Sequence, residues 1–564
     1  MTDTDRPSPS PGSFADPGPD LTAAWSSLGG DPALLARVTT VERSEALPAR
    51  LPVREVARAC VGACALAAAE LGARRTGPAR PGRPPGPGVP AVRVDDGAVA
   101  AAFVSERHLL VDGRAPVSFA PLSRFWPTAD GWVRTHANYP HHRARLLAAL
   151  GTSDDPEKVA AALAERSAAE VEETVYAAGG LAVALRTPAE WAAHEQAATV
   201  ARRPLVERGW LDSAPARTLT PVDRDPLLPA AGLRVLDLTR VVAGPVATRT
   251  LALLGADVLR LDPPGLPELS DQHTDTGFGK CSALLDLSAG RDTFEELLAA
   301  ADVVVTGYRP GSLDRLGLSP EALAERRPGV VVAQLSAWGA YGPWGDRRGF
   351  DSLVQAATGI AVSEGSAGRP GALPAQALDH GTGYLLAAAV LRALVEQADE
   401  GGSRFVRLAL ARTAAWLLEG ATPTRAPGGD RTAAAPGPAP APVPAAGGSA
   451  ADWLTETDSP MGRLRYARSP VSFTGGPRDW SRPPGPWGAD AARWGTGPVR
   501  NGAGEERGPV RDGAGEGRGP VRDGAGEGRG RWGDGPGDEQ SVGVVNAALA
   551  GNTRLPSTPC LPVL

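Results

Sequence analysis

The segment from Gly232 to Pro245 has residue types that could hold an anion. It reads GLRVLDLTRVVAGP, an apolar strand that ends in a turn and opens a helix. Such a turn directs backbone N–H groups and Gly244 toward the amino end of the helix, which suits an anionic or adenine-bearing ligand. The segment has neither the GxGxxG pattern of dinucleotide-binding folds nor a Walker loop, so those fingerprints do not apply.

Asp379 is a second candidate, in the run LDHGTG, where a helix opens. The helix dipole would keep a carboxylate ionised at this position. The same position would also suit a residue that only caps the helix. His380, its neighbour, is interpreted as a turn residue, not as a base.

Composition excludes several classes of protein. The chain has 564 residues, 42% apolar, with a formal net charge of -6, which argues against a general nucleic-acid binder. The amino terminus has no secretory pattern and no long uncharged apolar run is present, so we expect a cytoplasmic protein with no membrane partner. The four cysteines are too few and too scattered for a disulfide framework, and Cys60 and Cys64 suit core packing.

The order of predicted elements indicates the fold class. Apolar strands and helical stretches alternate with short connections after residue 232, which is typical of an α/β protein with a doubly wound, Rossmann-like, mostly parallel sheet. We predict a smaller α+β domain beside it. Residues 53–75 are expected to form a buried Ala-rich helix, residues 91–125 short strands, and residues 140–200 helices.

Composition shifts divide the chain into segments. The predicted boundaries are a disordered tail at 1–20, a first folded part at 21–213, a large domain at 231–420, a Pro/Ala linker at 421–450, a strand patch at 451–480 and a low-complexity tail at 481–564. The last segment contains an 11-residue repeat, GPVRDGAGEGR and its variants, with one Val per unit. One apolar residue per unit cannot stack into a solenoid core, so we predict disorder there.

Four blocks of sequence resemble family III CoA-transferases, the formyl-CoA transferase and CaiB/BaiF type, in order and spacing. They are LDLTRVVAGPVATRTLALLGADVLRLDPP (236–264), DVVVTGYRPGSLDRLGL (302–318), QLSAWGAYGPWGDRRGFDSLVQAATG (334–359) and ALDHGTGYLLAAAVLRAL (377–394). The resemblance implies the family's fold. It also implies an enzyme of the EC 2.8.3 type that moves CoA between an acyl-CoA thioester and a carboxylate acceptor.

The resemblance assigns roles residue by residue. Asp379 falls on the family's nucleophile, which passes through an aspartyl mixed anhydride and an aspartyl-CoA thioester. Contacts to CoA fall on Val241, Tyr308, Arg315 and Arg348. The resemblance implies no metal and no permanently bound cofactor, with the CoA thioester as substrate. Gly307 departs from the family pattern, which has Asn there.

Two alternatives remain open. The superfamily includes α-methylacyl-CoA racemases, whose His base would fall at Phe350, so the resemblance favours transfer over racemisation or another acyl-CoA reaction. The second alternative is a catalytically silent CoA-transferase-like scaffold, since the order of the parts departs from the family.

The first part, 21–213, resembles the back half of a second family copy, including its small domain. Glu55 stands there at the position of the nucleophile, without a glycine-rich turn, so we expect that position to be inactive. Because relatives form interlocked dimers, we expect either a homodimer or a pseudo-dimer within one chain.

Overall fold

The computed structural model describes residues 18–76, 88–117, 119–223, 225–366, 368–420 and 450–495. The predictions for residues 1–17, for the linker at 421–449 and for the repeats lie outside these residues. The amino-terminal tail was predicted to extend to residue 20, but the first helix already begins at Pro19.

The helices α1–α17 alternate with strands through most of the described chain. In order they are Pro19–Ser27, Val53–Thr76, Asp96–Phe103, Ser105–His108, Pro140–Leu150, Pro156–Ala164, Ala168–Ala177, Pro188–Ala192, Glu195–Ala201, Ala243–Leu253, Ser270–Thr276, Arg291–Ala299, Pro320–Arg326, Asp351–Ala357, Ile360–Ser363, Ala377–Glu400 and Leu410–Glu419. The strands β1–β15 are Val38–Val41, Val92–Asp95, Leu110–Val111, Phe125–Pro127, Trp132–Thr135, Ala182–Ala184, Glu207–Trp210, Arg234–Leu238, Asp257–Asp262, Lys280–Leu284, Val303–Thr306, Val331–Ser336, Arg404–Ala409, Leu454–Ser459 and Gly462–Ala467.

The main sheet has seven strands in the order β10-β9-β8-β11-β12-β13-β7. All neighbours are parallel except β7, which joins the edge antiparallel to β13. The predicted mixed α/β class with a parallel sheet is confirmed. The chain order reverses between β8 and β11, and crevices for ligands form outside the carboxyl ends of strands at such a point.

One sequence prediction is wrong in part. Residues 91–125 were expected to form short strands, but α3 and α4 occupy most of 96–108. The side chain of Asp95 accepts a hydrogen bond from the N–H of Gly97, so it caps α3, and the Ala-rich run that follows has high helix propensity.

A three-stranded antiparallel sheet, β4-β5-β6, packs with α5, α6 and α7 around a small core of its own. Trp126, Val133 and Leu146 are among its buried side chains. Helix α14 of the large domain contacts both β5 and β6. This small unit therefore lies against the loop and helix that precede α16.

Helices α2 and α16 pack against each other at the centre of the largest hydrophobic core. By length and composition α2 could cross a membrane, but 89% of its apolar window is buried inside the structure. Cys60 and Cys64 on α2 are both fully buried, as expected for core cysteines. The large domain and residues 21–213 share this one core.

Residues 450–495 continue the fold after the linker. Strands β14 and β15 form a sheet with β3, within the patch predicted at 451–480. Residues 481–495, which we assigned to the low-complexity tail, pack against the large domain. The indole N–H of Trp487 donates to Asp262 Oδ2 at 2.9 Å, and that of Trp494 donates to the carbonyl of Leu297 at 3.0 Å.

Two glycines of α16 provide a matched test of this packing. A Cβ on Gly383 would lie 2.5 Å from the carbonyl oxygen of Ala243, whereas one on Gly381 would be 3.4 Å from Cys60 Sγ, an ordinary contact. Ala favours a helix over Gly by about 1 kcal/mol, but overpacking costs about 1–3 kcal/mol. We expect Gly383→Ala to lower the free energy of unfolding in urea and Gly381→Ala to leave it unchanged or raised. Equal effects at the two positions would contradict the close approach of α16 to α10.

Candidate active site

Asp379 is the third residue of α16 and is only 6% exposed. Gln376 is the N-cap residue, so Asp379 does not cap the helix, and that interpretation is wrong. Within the described residues no group donates a hydrogen bond to its carboxylate and no cation pairs with it. The first turn of α16 therefore presents a buried acid without a protein partner.

Asp351 takes over the capping of α16. It is the first residue of α14 and fully buried. Its Oδ2 accepts hydrogen bonds from the backbone N–H of Leu378 at 2.9 Å and of Asp379 at 3.0 Å. A helix start has unpaired N–H groups that need such partners when buried. Gln355 donates to the other oxygen of Asp351 and fixes its orientation.

Burial raises the pKa of both carboxyl groups. Burial, followed by the charges of Asp351 and Glu106, raises the pKa of Asp379 well above its usual value. Burial raises the pKa of Asp351 to about 6, although three hydrogen bonds oppose the shift. Burial and two neighbouring acids therefore oppose the helix dipole, which favours the ionised form of Asp379.

Glu106 comes from α4, in the first part of the chain. Its Oε2 lies 3.5 Å from Nε2 of His380, and the His380 ring stacks on Phe103 with centroids 5.3 Å apart. Neither ring nitrogen of His380 makes a hydrogen bond within the described residues. His380 is a fully buried helix residue, so its interpretation as a turn residue is wrong.

Val241 lies in the turn between β8 and α10, with a φ of 72°. A non-glycine residue in the left-handed region is uncommon, and a β-branched one persists only where its surroundings hold it. The N–H of Val241 donates to Oε2 of Glu268 at 3.2 Å. Arg260 donates to the same oxygen at 3.0 Å, so a buried ion pair holds the turn.

A cavity of about 590 Å³ opens at the carboxyl ends of β11 and β12. Tyr308 and Arg309, from the loop after β11, line it together with Arg407 of β13. Its volume is in the range of small-molecule pockets. Gly307 begins this loop, and a Cβ there would be in tight contact with Cβ of Thr239, at 3.3 Å.

A group of arginines lies near this loop. Burial, followed by the charges of Arg309, Arg145 and Arg315, lowers the pKa of Arg348. Guanidinium groups that repel one another indicate a site for an anion. The structure therefore brings Arg315 and Arg348 within electrostatic range of each other, and places Tyr308 in the cavity wall. Val241 and Asp379 do not line that cavity.

Sequence reasoning missed the roles of Asp351 and Glu106. Asp351 lies 28 positions from Asp379 and Glu106 more than two hundred, so no local pattern connects them. No group of three or more His, Cys, Asp or Glu side chains in the described part of the chain could hold a metal ion.

The raised pKa of Asp379 affects stability. An Asp carboxyl in an unfolded chain titrates near pH ~3.9, so above that pH the unfolded chain is ionised while buried Asp379 still binds its proton. Stability then falls as pH rises from about 4 toward the folded pKa. We expect Asp379→Asn, which cannot ionise, to raise the thermal midpoint at about pH 7 by a few degrees, with no gain near pH ~4.

Asp292 is the matched control, because it is an exposed Asp in the first turn of α12. Asp292→Asn should lose about 0.3–1 kcal/mol through the helix dipole. A destabilised Asp379→Asn at about pH 7 would show that the buried acid does not oppose folding.

Residues 230–445 match the sequence model of CoA-transferase family III. The chain is 37% identical over 202 residues to the acetyl-coenzyme A transferase nodX of Hypoxylon pulicicidum, covering 34% of each chain. It is 33% identical over 193 residues to formyl-CoA:oxalate CoA-transferase of Streptomyces avermitilis, covering 32% of this chain and 47% of that protein.

The crystal structure of the hypothetical protein Rv3272 from Mycobacterium tuberculosis is 36% identical, with a TM-score of 0.32, over 34% of this chain and 57% of that one. The chain spans about a third to a half of the length of the curated relatives it matches. The matches agree with the family that the sequence motifs indicated. Residues 230–445 are therefore similar to the family III CoA-transferases.

Proposed function

We propose that the protein is a CoA-transferase of the EC 2.8.3 type that moves CoA between an acyl-CoA thioester and a carboxylate acceptor, with Asp379 as nucleophile. The observation that carries the proposal is the Asp379 carboxylate itself. It is buried in the first turn of α16, and no described group bonds it, because Asp351 has taken the N–H groups of that turn. Its raised pKa makes the ionised form a strong base and nucleophile.

Four steps complete the exchange. An oxygen of Asp379 attacks the thioester carbonyl, the C–S bond breaks, and a mixed anhydride and a CoA thiolate form. The thiolate attacks the aspartyl carbonyl and expels the first carboxylate, leaving an aspartyl-CoA thioester. The acceptor carboxylate attacks that thioester and releases the thiolate again. The thiolate then attacks the acceptor's acyl carbon, which restores the carboxylate of Asp379 without net proton uptake.

The Leu378 and Asp379 N–H groups are bonded to Asp351 and do not serve as an oxyanion site in this arrangement. His380 lies next to Asp379 and is paired with Glu106. Each attack places negative charge among these acids. We assign to the His380 and Glu106 pair a positioning role beside Asp379.

We place the nucleotide part of CoA along the crevice where the strand order of the doubly wound sheet reverses. In this placement Val241 contacts the adenine of CoA, and Tyr308 lines the cavity beside it. Arg315 and Arg348 bind the phosphates of CoA. The strained turn at Val241, the cavity beside Tyr308 and the mutual repulsion of the arginines support this placement. CoA is a substrate here, and no permanently bound cofactor is part of the proposal.

Residues 21–213 complete the proposed enzyme. The packing of α2 on α16 and the contribution of Glu106 support a pseudo-dimer within one chain, in which this part stands where a partner subunit would. Phe350, in place of a His base, favours transfer over α-proton exchange. We further propose that the protein acts in the cytoplasm. The relatives named as transferases of formyl-CoA and acetyl-CoA support the reaction class and leave donor and acceptor open.

The proposal is tested by measuring the transfer of CoA from an unlabelled acyl-CoA to an isotopically labelled carboxylate. We expect Asp379→Ala to lower kcat at least a thousandfold, because the attacking atom is removed. Glu55→Gln is the matched control: Glu55 occupies the first turn of α2 and pairs with Arg54 at 2.6 Å. It should retain transfer. Equal activity of the wild type and Asp379→Ala would show that Asp379 is not the nucleophile. Incorporation of solvent deuterium at the α-carbon of the acyl-CoA, without transfer of CoA, would support racemisation instead.

The phosphate contacts are tested with a truncated substrate. We expect Arg348→Gln to lower kcat/KM for acyl-CoA about 10–100-fold, the value of a hydrogen bond to a charged group. For the matching acyl-pantetheine, which lacks the nucleotide, the loss should be several times smaller. A loss of the same size for both substrates would show that Arg348 does not grip the nucleotide.

A further inference from the structure

The small unit contacts the large domain beside two loops that we assign to the nucleotide of CoA. One loop is the turn that contains Val241, and the other runs from Arg347 to Phe350. Two tyrosines of the small unit, Tyr139 at the start of α5 and Tyr176 on α7, each donate a hydrogen bond across this contact. Both tyrosines lie outside the region that matches the family.

Tyr139 reaches the turn at Val241 through Glu268. The buried Tyr139 hydroxyl donates to Oε1 of Glu268, and the N–H of Val241 donates to Oε2 of the same carboxylate at 3.2 Å. Burial acts to raise the pKa of Glu268, but the charges of Arg260 and Arg240 outweigh it and hold that pKa at about 2, so the carboxylate is ionised at neutral pH. One ionised side chain therefore joins the small unit to a turn whose left-handed backbone needs support.

Tyr176 holds the second loop. Its hydroxyl donates to the backbone carbonyl of Arg348 at 2.9 Å, and the Arg347 guanidinium lies over its ring with Cζ 4.7 Å from the centroid. Glu173, three residues earlier on α7, accepts a hydrogen bond from Nη2 of Arg347 at 2.8 Å. Within the described residues the Arg348 guanidinium donates no hydrogen bond and forms no ion pair. Helix α7 therefore fixes the backbone of an arginine whose side chain is available to an anion.

The two tyrosine hydrogen bonds act on different parts of the proposed CoA site. Tyr139 acts on the turn at Val241, where we place the adenine, and Tyr176 acts on the backbone of Arg348, where we place a phosphate. A loop that is already fixed before the ligand arrives loses less entropy on binding it. Neither hydrogen bond involves Asp379. We therefore expect binding of the nucleotide, and not attack on the thioester, to depend on them.

We propose that Tyr139 and Tyr176 are positioning residues, through which the small unit sets the affinity of the site for the nucleotide part of CoA. The inference rests on the proposed function, because it takes Val241 and Arg348 as contacts to CoA. The docked small unit then preorganises both nucleotide loops. A substrate that lacks the nucleotide gains nothing from this preorganisation.

Steady-state kinetics of Tyr→Phe variants test the inference. Tyr139→Phe and Tyr176→Phe each remove one hydroxyl and keep the ring. We expect each to raise KM for acyl-CoA about 3–10-fold, the value of one hydrogen bond, with kcat within about twofold of the wild type. With the matching acyl-pantetheine, neither variant should differ from the wild type.

Tyr466→Phe is the matched control. Tyr466 is as buried as Tyr139, and its hydroxyl donates to Asp479 Oδ2 at 2.6 Å, outside the small unit. Its removal also costs one hydrogen bond to a carboxylate, but at neither nucleotide loop. Tyr466→Phe should therefore leave KM unchanged for both acyl-CoA and acyl-pantetheine.

A double variant tests whether Tyr176 acts through Arg348. In the Arg348→Gln background, Tyr176→Phe should raise KM for acyl-CoA no further, because the side chain that it positions is gone. Tyr139→Phe should still raise it, because Tyr139 acts on the other loop. A further rise with Tyr176→Phe as large as in the wild-type background would overturn the role of Tyr176.

Calorimetric titration with CoA gives a readout without turnover. Tyr139→Phe and Tyr176→Phe should each weaken CoA binding about 3–10-fold. A variant that binds CoA like the wild type overturns the role of that tyrosine, and so does an equal loss for acyl-CoA and acyl-pantetheine, which indicates a structural role alone. Weaker CoA binding by the variants of a protein that transfers no CoA rejects the transfer reaction and supports this inference. A wild type that binds no CoA rejects both.

Discussion

The hydrogen bonds from the first turn of α16 to the Asp351 carboxylate are the interaction on which the candidate site depends. They satisfy N–H groups that are buried and could not otherwise reach water. They also bring a second acid next to Asp379, whose carboxylate then lacks protein donors and has a raised pKa. One buried carboxylate thus stabilises the start of the helix and raises the pKa of its neighbour.

Enclosure of that turn comes from the part of the chain before residue 230. Helix α2 covers α16, Phe103 and Glu106 contact His380, and β5 faces α14. The region that matches the family supplies Asp379 and the sheet, but not this cover. The burial that raises the pKa of Asp379, and with it the proposed chemistry, therefore requires both parts of the chain.

Local patterns predicted the parallel sheet well. Strand β9 covers the residues DVLRLD, and the apolar runs after residue 300 became β11 and β12, because buried parallel strands have continuous apolar sequences. Residues 96–103 became a helix because one Asp caps an Ala-rich run, which the strand prediction overlooked.

The site was harder to predict. Motifs indicated Asp379, but the pKa of its carboxyl depends on Glu106 and Asp351, which approach only in the folded chain. Pairings of this kind follow from the tertiary fold, not from periodicity or spacing.

The central claim is that Asp379 becomes covalently acylated. The most direct measurement incubates the protein with an acyl-CoA, traps the intermediate with hydroxylamine and maps the modified peptide by mass spectrometry. The account predicts a hydroxamate on Asp379, formed only when acyl-CoA is present. A hydroxamate on another residue, or turnover with Asp379 unmodified, would contradict it.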